Sequence, residues 1–162
     1  MARILHNIRQ NHALEHATMH VLSQRNPYAQ IMGRSTAGGF YIYGDLDTQQ
    51  VANAASEALV RLQQGEEHLA IHPRCGTNLA VTAIVAGSAA FGATLGRSRS
   101  KFERLPLALT AATIGAIAAQ PLGHKIQERI TTTPEVRGLY IADVQRREQG
   151  RLVSHKVIIG RE

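Results

Sequence analysis

The sequence predicts an α+β fold: a small soluble α+β domain with a transmembrane α-helical hairpin inserted into it. Three observations predict it. Residues Cys75 to Gly96 are 22 positions without a charged side chain, and Leu105 to Gly123 are 19 more, so the other 121 positions carry all the Lys, Arg, Asp and Glu. At a helical rise of about 1.5 Å per residue the two stretches reach roughly 33 and 28 Å, near the ~30 Å hydrocarbon thickness of a bilayer. Outside them, helical and strand periodicities alternate. Finally, hydrophobic residues make up 44% of the chain but aromatic ones only 4%, so the apolar content is aliphatic and small.

The elements follow in order. A first helix is expected from about Arg3 to Gln24, stopped by Asn26-Pro27. Gln30–Arg34 and Phe40–Tyr43 read as two strands around the turn Ser35–Gly39. Asp47 is a candidate N-cap with Gln50 three residues on. Val51, Ala55, Ala58, Leu59 and Leu62 then form one buried stripe, and Gly65 ends that helix. His68–His72 reads as a short strand entering the hairpin, and Lys125–Ile130 as an extension of the second span into water. Leu139–Val144 and Leu152–Ile159 alternate as two strands with a turn near Gln149-Gly150. The expected organisation is one domain: a soluble part over 1–74 and 124–162, with the hairpin at 75–123.

Small residues recur every fourth position in both spans: Ser88, Gly92 and Gly96, then Ala111, Gly115, Ala119 and Gly123. That spacing lets two helix backbones approach closely. The connection Arg97–Arg104 is eight residues long, which predicts a hairpin packed against itself or a second copy. Pro106 fits the first turn of the second helix, and Pro121 is expected to end or kink it. The competing arrangement is a soluble Ala/Gly-rich hairpin buried in an oligomer core.

Several chemistries are excluded. Cys75 is the lone cysteine, which rules out a disulfide framework and a multi-cysteine zinc knuckle. There is no Walker or dinucleotide fingerprint and no G-x-S-x-G elbow. Neither span contains a histidine, so haem or chlorophyll ligation at mid-membrane is not expected. The net charge of +6 comes from scattered basic residues without an aromatic platform, and Arg146–Arg151 reads as a solvated turn, so no nucleic-acid partner is expected.

The first helix carries the chemistry. Ile4, Leu5, Ile8, His12, Glu15, His16, Met19 and Leu22 fall within one arc of about 120° at 100° per residue. A buried imidazole or carboxylate is costly unless paired. Histidines at i and i+4 project side by side and can chelate one metal ion, and a glutamate between them can serve as a base. His12-Ala-Leu-Glu15-His16 thus resembles the H-x-x-E-H pattern of inverted zinc metallopeptidases. That likeness implies His12 and His16 as ligands and Glu15 as general base. The third ligand stays open among the downstream acids Glu57, Glu66 and Glu67. A second cluster, His72-Pro73-Arg74-Cys75, offers two more metal donors at the mouth of the first span. Folded back over the first helix, His72 or Cys75 would complete a tetrahedral site with one open position. The plainer alternative is that His72 caps a helix end and Cys75 is a small buried apolar residue. His6, His20, His68, His124 and His155 read as surface or packed residues.

NHALEHAT, GGFYIYGDLD, the segment Ala58–Glu66, and LAIHPRCGTNL followed by two small-residue spans resemble an uncharacterised bacterial domain-of-unknown-function family of small membrane proteins. The resemblance implies the two-span architecture and brings no activity with it. A bacterial inner-membrane, multi-pass location follows. The basic connection argues for a cytoplasmic loop. However, Met1–Arg74 has no continuous apolar core to serve as a signal, so both termini and the soluble part are expected in the cytoplasm. The expected partners are the lipid bilayer and, through the small-residue faces, a second copy or a larger membrane complex. Two functions compete. One is a zinc-dependent, peptidase-like hydrolase; the other is a non-enzymatic scaffold or assembly subunit with a structural His/Cys cluster.

Overall fold

In the computed structural model, residues 2–95, 101–150 and 152–162 are described. The chain divides into two units, Met1–His72 with Glu128–Glu162, and Pro73–Gln127.

The first unit contains α1 (Ala2–Arg25), β1 (Met32–Thr36), β2 (Gly39–Tyr43), α2 (Thr48–Gln63), a 3-10 turn (Glu67–Ala70), β3 (Leu139–Gln149) and β4 (Leu152–Arg161). The strands form one antiparallel sheet in the order β1-β2-β4-β3. Alternation along β2 and β4 buries Phe40, Ile42, His155, Val157 and Ile159. In register, Phe40 stands opposite Val157 and Ile42 opposite His155. α1 packs on β1 and β2, α2 on β3 and β4, and the two helices on each other. Their Leu14, Ala17, Val21, Val51, Ala55, Ala58 and Leu62 close a single apolar core with the sheet.

α2 forms as its sequence dictates. Asp47 accepts hydrogen bonds from the main-chain N–H of Gln49 and Gln50 at 2.8 and 3.3 Å, satisfying two of the four otherwise unpaired donors of a helix start. All five residues of the expected stripe are buried. Gly65, at φ +95°, takes the left-handed conformation after the last turn that a Cβ would disfavour.

The second unit is the helical pair α3 (Gly76–Thr94) and α4 (Lys101–Ile126). Both are long and apolar enough to cross a membrane by length and composition, and most of their described residues are exposed or half-buried. The α4 stripe packs as expected: a Cβ on Gly115 would press on Val85, Ala86 and Ala89 of α3, and one on Gly123 on Asn78. Gln127 Nε2 donates to Asn78 Oδ1 at 2.6 Å. Thr110 and Thr113 return their hydroxyls to the carbonyls of Pro106 and Leu109 at 2.9 Å, so neither requires water.

Four expectations are corrected. His68–His72 is not a strand: Glu67–Ala70 coils as a 3-10 turn, with both Leu69 and Ala70 in the core. Ser88 and Gly92 do not face α4; both are exposed, and Gly92 has nothing within 4 Å of its Cβ position. Pro106 is the sixth residue of α4, not part of its first turn, and α4 runs past Pro121 to Ile126. A proline removes only one ladder bond, and contacts of Gly123 and Gln127 with Asn78 hold the turns beyond it. The helical extension expected over 125–130 is present, its last turn wound as a π-helix over Gln127–Thr131. Ile4 and Leu5, placed on the apolar arc of α1, are exposed. Gly96 and residues 97–100 of the connection lie outside the described residues. Arg104 of that connection donates to Thr94 O at 2.7 Å.

Candidate metal centre

α1 is buried almost all round from Gln10 to Leu22, not along one arc. Its small face, Ala13, Ala17 and Val21, is as enclosed as the face bearing Glu15 and His16. Enclosure obliges every polar group there to find a partner. Gln10 Nε2 donates to Glu135 O at 2.7 Å, and Asn11 Nδ2 to Thr36 O at 2.7 Å. Asn11 Oδ1 accepts from Arg161 at 2.7 Å, and Thr18 donates to Leu14 O.

Four imidazoles lie in a row on this unit. His12 and His16 have ring centroids 4.3 Å apart, His16 and His72 5.8 Å, and His20 and His72 4.9 Å. Two imidazoles on one tetrahedral ion, with metal–nitrogen bonds of about 2.0–2.1 Å, have ring centres roughly 5 Å apart. The three spacings bracket that value. His16 is 1% exposed and His72 is buried, while His12 and His20 at the ends are half-buried.

Irregular turns orient the rings. His12 Nδ1 lies 2.9 Å from Thr131 O, the last carbonyl of the π turn. His16 Nδ1 lies 2.7 Å from Ala70 O, and His20 Nε2 2.9 Å from Ile71 O, where the 3-10 turn ends. A carbonyl only accepts, so these nitrogens carry the protons. The donor lone pair of His12 and His16 is therefore on Nε2, and that of His20 on Nδ1. An imidazole N–H held by a main-chain carbonyl is the usual outer support of a metal-bound histidine.

Glu15 is 4% exposed. Its carboxylate accepts the Ser35 hydroxyl and lies over Gly33 of β1, where a Cβ would overlap its Oε1, Cδ and Cγ. Glycine at 33 thus makes room for the carboxylate. Cys75 belongs to the hairpin unit, where it is the N-cap of α3 and its Sγ accepts from Thr77 N at 3.4 Å. Two of the three acids considered as further ligands have other partners. Glu57 pairs with Arg25 at 2.5 Å and Arg61 at 3.7 Å. Glu66 pairs with Arg61 at 2.7 Å, and that hydrogen bond holds its carboxyl below the usual range. Glu67 begins the 3-10 turn.

Two side chains at the site were not assigned from sequence. His20 extends the i, i+4 series of His12 and His16 by one more step, a signal that was present. Ser35 had none, because Glu15 is 20 residues away in the chain. His155 is fully buried, with neither ring nitrogen hydrogen-bonded among the described residues, and burial pushes its pKa down. Within the first unit, His12 and His16 supply two donors of a group that could bind a metal ion.

The chain is similar to an uncharacterized protein of Picosynechococcus, 42% identical over 135 residues that cover 77% of this chain and 65% of the relative. It therefore spans a little under two thirds of that relative's length. No solved structure matches it. The family described as "Domain of unknown function (DUF6391)" matches residues 7–144, a range holding His12, Glu15, His16, His20, His72 and Cys75, and the chain belongs to that family.

Proposed function

We propose that this chain is a membrane-anchored zinc protein whose ion is held by His12 and His16. The observation that carries the reading is the matched pair of hydrogen bonds from Nδ1 of His12 and His16 to Thr131 O and Ala70 O. Together they fix both tautomers with the lone pair on Nε2, the form that a metal-bound histidine takes. Cys75, three residues past His72, is the proposed third ligand, its thiolate joining two imidazoles in a donor set suited to zinc. Three protein ligands leave one coordination position for a substrate. A bound ion supplies Lewis acidity there. Glu15, next to His16 in sequence and held by Ser35, is the proposed proton acceptor of a peptidase-like hydrolysis. The hairpin is the proposed anchor in a bacterial inner membrane, with the soluble part in the cytoplasm.

The test is metal analysis of the full chain purified gently in detergent. The expected result is one tightly held zinc per chain. His12→Ala and His16→Ala should each weaken it by more than the ~10–100-fold typical of losing an outer support. Glu15→Gln should keep the metal and abolish hydrolysis of a fluorescent casein substrate. Wild-type metal content in both histidine variants would sink the reading. A second reading rests on Ser88 and Gly92, which are exposed, Gly92 with open space around it. In that reading the hairpin is an assembly surface for a second copy or a larger complex, and the metal is structural. Glu15→Gln would then leave every measured turnover unchanged.

A further inference from the structure

The reading above uses two of the four imidazoles in the row. His20 and His72 remain, with a centroid spacing nearer to that of two rings on one ion than the 4.3 Å of His12 and His16. Their ring centroids are 4.9 Å apart in an edge-on arrangement, against roughly 5 Å for two imidazoles on one tetrahedral ion. The pair is also braced: His20 Nε2 donates to the carbonyl of Ile71, the residue bonded to His72. A single hydrogen bond therefore fixes the tautomer of His20, places its donor lone pair on Nδ1, and ties its ring to the backbone that carries His72. His72 lies 5.8 Å from His16, farther than from His20. His20 is half-buried, so an ion beside it keeps a path to water for its remaining coordination positions.

We propose that His20 and His72 form a second, outer position for a borderline divalent cation such as zinc, distinct from the one at His12 and His16. With two protein ligands it binds more weakly than the inner position and exchanges faster. The proposal extends the metal reading above, and its test separates the two. The full chain in detergent is stripped of metal and titrated with cobalt(II) alone, then with zinc(II) alone, with bound ions counted per chain. His20→Gln keeps an amide donor for Ile71 O and loses the ring lone pair. His12→Asn keeps a donor for Thr131 O in the same way. Both variants are first checked for the wild-type thermal midpoint; if His20→Gln falls short, His20→Asn replaces it.

The expected result is two ions per chain with separated affinities. His20→Gln should weaken the second step at least tenfold and leave the first unchanged; His12→Asn should do the reverse. One ion per chain, lost in His12→Asn and unaffected in His20→Gln, overturns the outer position and leaves the inner reading standing. A step lost only in His20→Gln upholds the outer position and overturns the inner. No ion bound overturns both.

Discussion

Helices α1 and α3 invert the usual relation between composition and burial. α1 carries Gln10, Asn11, Glu15, His16 and Thr18 in its enclosed section, and all five are buried. α3 has no charged residue, and none of its residues is buried. Polarity did not keep α1 out of the core, and apolarity did not bring α3 into one. Burial of α1 is secured by partners, since each of its enclosed polar groups meets a carbonyl, a hydroxyl or a guanidinium. α3 finds cover on one side only, from α4, and its remaining apolar surface needs a cover that its own unit does not supply. The lesson is that enclosure follows from satisfied hydrogen bonds and close packing, not from mean hydropathy.

Matched truncations test that contrast most directly. Leu14 is fully buried and Ile84 is 68% exposed. Leu14→Ala should destabilise the first unit by about 2–5 kcal/mol. Ile84→Ala should leave its denaturation midpoint in place, and equal losses in denaturant titrations would break the comparison. Next in size is Ile84→Arg, near the middle of α3. It should disfavour membrane insertion by ~2.5–3.5 kcal/mol, seen as protein shifting from the membrane to the soluble fraction. Unchanged partitioning would tell against a bilayer as the cover of α3.

Smaller effects test the satisfaction of buried polar groups. Gly33→Ala drives a methyl into the Glu15 carboxylate, and the overpacking should cost about 1–3 kcal/mol. A thermal scan that shows no loss would mean that Glu15 is not confined there. Smallest is His155, whose ring nitrogens have no hydrogen bond among the described residues. Burial, reinforced by Arg146 and opposed by Asp47, depresses its pKa in the folded state. Its contribution is therefore complete above the unfolded value of about 6.5 and is lost as pH falls through the lower folded value. His155→Leu should flatten that acid limb and raise neutral-pH stability by about 1 kcal/mol, the cost of an unmet polar group. An acid limb as steep as that of the wild type would assign it to other groups.

Much of the fold was legible because local rules governed it. Asp47, the stripe Val51 to Leu62 and Gly65 act within one helix, and the alternation of β2 and β4 within each strand. The candidate site was legible where spacing alone sufficed: His12, Glu15 and His16 on one helix face. What could not be read depended on distant partners. The last carbonyl of the π turn, Thr131 O, meets the His12 ring across 119 residues of chain. His68–His72 reads as a short strand, but the segment coils with Leu69 and Ala70 both in the core. Ser88 and Gly92 share the four-residue spacing of Gly115 and Gly123, and nothing local says which small stripe faces inward.

The strand order β1-β2-β4-β3 has a consequence in time. β2 pairs with β4, so that Phe40 waits for Val157 before its side of the sheet is closed. During synthesis the whole of α3 and α4 is polymerised before β4. The hairpin can therefore reach a bilayer while the first unit is still an unfinished sheet with β2 exposed as an edge. Long-range pairings of this kind form slowly and leave sticky intermediates. Under the proposed anchoring, the hairpin would hold those intermediates apart from one another.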